Sequence, residues 1–312
     1  MGSSWSYEYA HYIPDKHSLK GGILIEVISL HIGTISRREG RSSVQMAAYC
    51  SRSKMLDERT GKTYNYTKRS DLVHHEVMLP DHAPNTFLNS EVLWNSVEEV
   101  ERSRNARLAR VIIAALPKEL DTKTHVAMVQ QYAQEHFVQR GMCVDVSVHD
   151  KGDGNPHAHI LLTTRPLDSV GRWMDKQHRN YLLDENGERI FDPVKRRYKL
   201  GRSIKTHDWD NPDRVQEWRA GWATACNAQF RQHGIDKEVT CLSYAKQGVD
   251  REPTKHLGAK VKAMEERGIS TNRGNDNRRI IAERQRQDRQ RFRQRMEQSR
   301  AWSLERDFGR ER

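Results

Sequence analysis

Long apolar runs are missing from this 312-residue chain. No stretch approaches the ~18 consecutive apolar residues that a membrane-spanning helix needs, and residues 1–16, MGSSWSYEYAHYIPDK, lack the apolar centre of a signal peptide. The expected protein inserts in no membrane and resides in the cytoplasm. Cysteine is scarce: Cys50, Cys143, Cys226 and Cys241 are widely spaced and form no CxxC pair. That pattern speaks against a thiolate zinc site and against a disulfide framework, and it fits a reducing compartment. Acidic residues are outnumbered, 42 Asp and Glu against 53 Lys and Arg, for a formal charge of +11. A basic surplus of this size favours a polyanionic partner, nucleic acid first.

What is present is concentrated histidine. Residues 149–162 read HDKGDGNPHAHILL, with His149, His157 and His159 inside eleven positions. HAHILLTT is apolar and β-branched, and MCVDVSVHD upstream alternates apolar with polar residues, so both read as strands. KGDGNP between them is built of turn formers. The pattern predicts a β-hairpin with His149 at the end of one strand and His157 and His159 at the start of the next. Residues i and i+2 share a face of a strand, so the three imidazoles can converge. One such histidine alone would read as a polar strand residue facing water. Three converging ones suit a divalent metal with open coordination positions.

Around this hairpin, strands are predicted over 22–36, 72–80 and 109–117, and helices over 44–56, 86–108, 120–141 and 213–234. Residues 57–70 read as a hairpin or loop, and 170–211 as polar loop. Strands alternate with helices, yet the histidine strands form a hairpin. The expected fold is therefore α+β, a mainly antiparallel sheet with flanking helices. The expected organisation is a polar extension over 1–21, one domain over 22–270, and a basic tail over 271–312. In that tail, residues 276–312 carry twelve Arg against seven Asp and Glu, a net +5. Such a segment reads either as a solvated helix or as a tail that orders on nucleic acid.

A metal needs a substrate, and RSSVQMAAYCSRSK offers a candidate nucleophile, Tyr49, with Arg37, Arg38, Arg41 and Arg52 nearby. A tyrosine can attack phosphorus and form a covalent ester, a histidine-bound metal can stabilise the developing charge, and arginines can hold flanking phosphates. By pattern alone Tyr49 reads better as a packed aromatic of an amphipathic helix, and Tyr64 and Tyr66 in KTYNYTK are rival nucleophiles.

The segments SRREGRSSVQMAAY, DERTGKTYNYTKR, ARLARVIIAALPKEL, HDKGDGNPHAHILLTTR, WRAGWATACNAQF and SYAKQGVDREPTKHLG, in this order between about Ile23 and Gly268, resemble the MobA/MobL family of plasmid mobilization relaxases. These are MobQ-type HUH endonucleases. The resemblance implies a five-stranded antiparallel sheet. It implies His149, His157 and His159 as ligands of Mg²⁺ or Mn²⁺, and Tyr49 as the residue that attacks DNA. The implied activity is nicking of one strand at the transfer origin by transesterification. The tyrosine stays on the 5′ phosphate until the strand is reclosed. The implied partners are single-stranded DNA at that origin, accessory mobilization proteins and a type IV coupling protein, with delivery to a recipient cell. Relatives often carry a glutamate before Ala-Leu-Pro, at the place of Val111, and Asp-His-Arg where this chain has Thr240, Cys241 and Leu242. Those departures keep open a catalytically impaired single-strand DNA-binding protein on the same scaffold. A rolling-circle replication initiator shares the His-hydrophobe-His chemistry and is the other alternative.

Overall fold

Alternation along the strands decides which residues meet the helices. The computed structural model describes residues 19–20, 23–247, 252–255, 257, 261 and 264–308. Contacts divide the chain into Ile28–Cys241 and a second unit of Met1–Val27 with Leu242–Arg312. The first unit contains strands β1 (Leu30–Ser36), β2 (Lys54–Asp57), β3 (Lys62–Asn65), β4 (Leu72–Met78), β5 (Arg107–Ala115), β6 (Val144–His149), β7 (His157–Thr163) and β8 (Glu238–Thr240). Its helices are α1 (Ser43–Cys50), α2 (Ser90–Val100), α3 (Thr122–His136) and α4 (Pro212–Gln232). Five of the strands form one sheet in the order β1-β5-β7-β6-β4, with every neighbouring pair antiparallel. The expected α+β architecture is the observed one.

The two faces of this sheet differ in chemistry. Ile112 and Ala114 of β5, Val146 and Val148 of β6, and Ala158, Ile160 and Leu162 of β7 join one apolar cluster. Helix α3 closes it with Met128, Val129 and Tyr132, and α4 with Trp218, Trp222 and Phe230. The two helices approach closely at Gly221, where a Cβ would stand 2.5 Å from the His136 ring. A side chain at this position would have to push that ring aside. The alternate residues, among them His149, His157, His159 and Asp145, face the other way, toward α1 and α2. His149 reaches the carbonyl of Cys50 at the end of α1, and Asp145 accepts a hydrogen bond from Trp94 Nε1 of α2 at 2.8 Å.

Element ends differ from the sequence-based expectation for physical reasons. The strand expected over 22–36 is interrupted at Ile28, whose N–H donates to Thr240 O of β8 at 2.9 Å. The helix expected over 44–56 stops at Cys50, because Arg52 turns into the left-handed region at φ 53° and Ser53 N–H closes the end on Ala48 O at 3.1 Å. Residues 54–57 are freed to pair with β3 as a hairpin. The helix expected over 86–108 is confined to α2, since Arg107 and Leu108 enter β5, with Arg107 opposite Ser36. Gly141, the expected stop after α3, adopts φ 87° behind a short 3₁₀ turn. Within the expected loop 170–211, two-residue strands pair Gln177–His178 with Ile204–Lys205 and Phe191–Asp192 with Arg197–Tyr198.

In the second unit, Leu19–Lys20 pairs with Ile23–Val27, and the basic segment forms one long helix, α5 (Asn272–Phe308). Arg279 pairs with Glu252 at 2.9 Å and Lys255 with Asp276 at 2.6 Å. Residues 1–18 of the expected N-terminal extension lie outside the described residues.

Candidate metal and tyrosine site

The register of β6 and β7 brings the three histidines together. His149 stands directly opposite His157, and His159 opposite Ser147. The ring centroids of His149, His157 and His159 are 4.7, 5.2 and 5.4 Å apart in pairs. One nitrogen from each ring lies within 4.8 Å of the others. His149 and His159 are almost wholly buried. Burial, together with the Arg52 cation, pushes His149 down to about 3. Burial likewise lowers His157 and His159. The cluster is therefore a set of neutral imidazoles at neutral pH, the form that binds a metal.

Hydrogen bonds orient two of the rings. A carbonyl can only accept and a guanidinium can only donate, so their contacts fix a tautomer. His157 Nδ1–H donates to Asn155 O at 2.9 Å, which leaves Nε2 as the lone pair. His149 Nε2–H donates to Cys50 O at 2.6 Å, and its Nδ1 accepts from Arg52 Nη2 at 3.2 Å. A ring N–H held by a backbone carbonyl is the usual support of a ligating histidine. The donor set and spacing fit a divalent ion, and coordination by His149 would replace one of its two hydrogen bonds.

Tyr49 stands beside this cluster. Its ring is edge-on to His159 with centroids 6.0 Å apart, and to Tyr66 at 5.4 Å. The Arg52 and Arg69 guanidinium carbons lie 4.4 and 5.1 Å from the ring centroid. Burial raises the phenol above its ordinary range, while both cations pull it back. Helix α1 sets this position. Its N-cap Ser42 accepts from Gln45 N–H and donates to Asp57 Oδ2 at 2.9 Å, and Glu98 of α2 takes Ser43 N–H at 2.8 Å. Of the rival tyrosines, Tyr66 lies against Tyr49 and reaches Gln45, whereas Tyr64 sits on β3 opposite Met55.

The four candidate arginines occupy different settings. Arg37 is committed to protein groups, pairing with Glu98 Oε2 at 2.6 Å and donating to the carbonyls of Glu98, Glu101 and Ser103. Arg41 pairs with Glu39 at 3.1 Å and reaches Thr34 O. Arg38 is exposed. Arg52 is buried, with a bidentate pair to Asp71 at 2.7 and 2.8 Å. Val111 is buried on the histidine face of β5, but it lies opposite Leu161 and Gly33, while Ile113 is the residue level with His159. Thr240 is the last residue of β8, and burial raises the Cys241 thiol to about 11.

Sequence reasoning missed Asp71, Arg69 and Asp145. Against the upward pull of burial, the Arg52 guanidinium holds Asp71 at about 2. Asp145, wholly buried, anchors Trp94 and Ser90 of α2 and His75 of β4. Although burial pulls His75 down, the Asp145 carboxylate raises it above its ordinary value. The one available signal was an aspartate in an otherwise buried strand pattern, VDVSVH.

Known proteins resemble this chain over most of its length. The MobA/MobL family pattern matches residues 41–267, a span that includes Tyr49 and the three histidines. The probable mobilization protein MobA of Bifidobacterium longum is 33% identical over 268 residues, which is 81% of this chain and 47% of that protein. The conjugal transfer protein TraA of Agrobacterium fabrum is 36% identical over 240 residues, 74% of this chain and 21% of that protein. The chain thus spans about half the length of the first and about a fifth of the second. A solved chain from "Molecular Basis of Vancomycin Resistance Transfer in Staphylococcus aureus" is 27% identical, with a TM-score of 0.59 over 70% of this chain and all of that one. On the family match across most of its length and relatives above 30% identity, the chain belongs to the MobA/MobL family.

Proposed function

We propose that this chain is a relaxase, which nicks one strand of plasmid DNA at the transfer origin and later reseals it. The observation that carries the reading is the placement of Tyr49 against His159 of a three-histidine cluster. The Tyr49 oxygen forms a bond to the scissile phosphorus while the bond from phosphorus to the 3′ oxygen breaks. The phenol gives up its proton and the departing 3′ oxygen takes one, so a 5′-phosphotyrosyl ester and a free 3′ hydroxyl result. Attack by a 3′ hydroxyl on that ester reverses the step and recloses the strand. His149, His157 and His159 would hold Mg²⁺ or Mn²⁺, which when bound supplies charge stabilisation at the phosphoryl oxygens.

The chain's own groups serve the remaining needs. Burial keeps Tyr49 a neutral phenol until substrate arrives, and the Arg52 and Arg69 cations at its ring favour the phenolate as the proton leaves. Exposed Arg38 is available to a flanking phosphate. The proposed partners are single-stranded DNA at the transfer origin, accessory mobilization proteins and a type IV coupling protein, with delivery of the covalent complex to a recipient cell.

One observation favours a second reading. Strand β5, RLARVIIAA, contributes no carboxylate beside the histidines, which suits a single-strand DNA-binding protein of low catalytic power on the same scaffold. Cleavage of a labelled transfer-origin oligonucleotide with and without EDTA separates the two. A relaxase gives metal-dependent cleavage and a covalent adduct; a binding protein shifts the oligonucleotide and leaves it intact.

A further inference from the structure

Arg52 is held where arginine is costly. Its backbone lies at φ 53°, in the left-handed region that is strained for an L residue and normally falls to glycine at a helix end. Its guanidinium is nevertheless buried and fully engaged. It makes the bidentate pair with Asp71, donates to Tyr49 O and to His149 Nδ1, and lies over the Tyr49 ring. Backbone strain retained against glycine marks a position whose side chain is needed. The left-handed turn is what sends this side chain back across α1 toward β6.

We propose that Arg52, anchored by Asp71, is a positioning residue for the proposed nicking reaction. It fixes the backbone and ring of Tyr49. The anchor matters because a guanidinium fork on a carboxylate has one orientation. Asp71 is 7% exposed and the Arg52 side chain 3%, so neither is free to swing on a solvated stem. The Asp71 backbone carbonyl also accepts Asp150 N–H at 2.9 Å, which ties the anchor to the residue that follows His149. One ion pair thus links the end of the nucleophile helix to the histidine hairpin. This inference rests on the reading of Tyr49 as nucleophile.

The test uses the full chain and the double variant Arg52→Gly/Asp71→Asn. Glycine keeps the left-handed helix end without strain, and asparagine avoids stranding a buried carboxylate. Single-turnover formation of the tyrosyl–oligonucleotide adduct should fall by about 100-fold, the loss that follows a misplacement of about 1 Å at a reacting group. Oligonucleotide affinity should stay within about twofold, because the loss lies in the reacting geometry rather than in ground-state binding. A crystal structure of the variant should show the Tyr49 ring moved out of its edge-on contact with His159. A folded double variant with the parental adduct rate and an unmoved Tyr49 ring overturns the proposal. Should that variant fail to fold, Arg52→Lys keeps the charge without the fork. It should then slow adduct formation by about tenfold at unchanged affinity, and a parental rate overturns the proposal again. If the parent forms no adduct at all, the relaxase reading fails instead. The position of the Tyr49 ring in the variant then decides Arg52 alone, with an unmoved ring counting against it.

Discussion

Asp71→Asn should destabilise the fold in a way that fades with acid. In the parent, Asp71 is buried and its carboxylate holds both Nε and Nη2 of Arg52, at 2.7 and 2.8 Å. That pairing brings its acid constant from 3.8 to about 2, which at ~1.4 kcal/mol per unit corresponds to about 2.5 kcal/mol of stability at neutral pH. Asparagine can accept one of the two hydrogen bonds but leaves the Arg52 charge uncompensated, so the loss at pH 7 should be about 2–4 kcal/mol. The sign with pH follows from the depressed constant. The ion pair contributes fully above the unfolded value near 4, and its contribution disappears as pH falls from about 4 through about 2. Urea unfolding of parent and variant, repeated between pH 7 and pH 2, measures the gap. Other carboxylates titrate in both proteins and cancel in the difference. A gap below about 1 kcal/mol at pH 7, the size of a surface pair, or a gap that stays constant into acid, would refute the reasoning.

Alanine at His157 or at His159 should abolish the heat of Mn²⁺ binding in calorimetry and remove most nicking activity, and unchanged affinity in both variants would sink the metal assignment. Deleting residues 276–312 removes a formal +5; binding to any oligonucleotide should weaken, and the slope of log affinity against log salt should flatten by ~0.7 for each DNA phosphate that the shortened chain no longer neutralises. An unchanged slope would show that the tail does not touch the DNA. Val111→Glu tests the apolar β5. Val111 is 3% exposed and opposite Leu161 rather than His159, so the buried charge should cost several kcal/mol in urea unfolding unless an ion or imidazole pairs with it. Faster nicking at low metal with the fold retained would instead place residue 111 at the site.

The sequence carried the site further than it carried its supports. The histidine hairpin was legible because a two-residue period and a glycine-rich turn dictate one arrangement, and His149 and His157 are indeed cross-strand partners. The layered sheet followed from strands and helices of ordinary pattern. The end of α1 was not legible, because its left-handed residue is Arg52 and no glycine marks the stop. The interruption of the first strand depends on Thr240, more than two hundred residues away along the chain. The commitment of Arg37 to Glu98 and of Arg52 to Asp71 joins residues that no local period relates. A basic cluster in sequence reads as a phosphate-binding surface, and only the fold shows that three of its four members pair with carboxylates.

The relaxase reading requires that Tyr49 become bonded to DNA. The most direct measurement is peptide mapping by mass spectrometry of the adduct formed with a transfer-origin oligonucleotide and Mn²⁺, for the parent and for Tyr49→Phe. In the parent, a nucleotide-phosphate mass is expected on the peptide that contains Tyr49. In the Phe variant no adduct is expected, with oligonucleotide binding retained, since the ring and its contacts with His159 and Tyr66 remain. An adduct that persists in Tyr49→Phe, or that maps to Tyr64 or Tyr66, would contradict the claim.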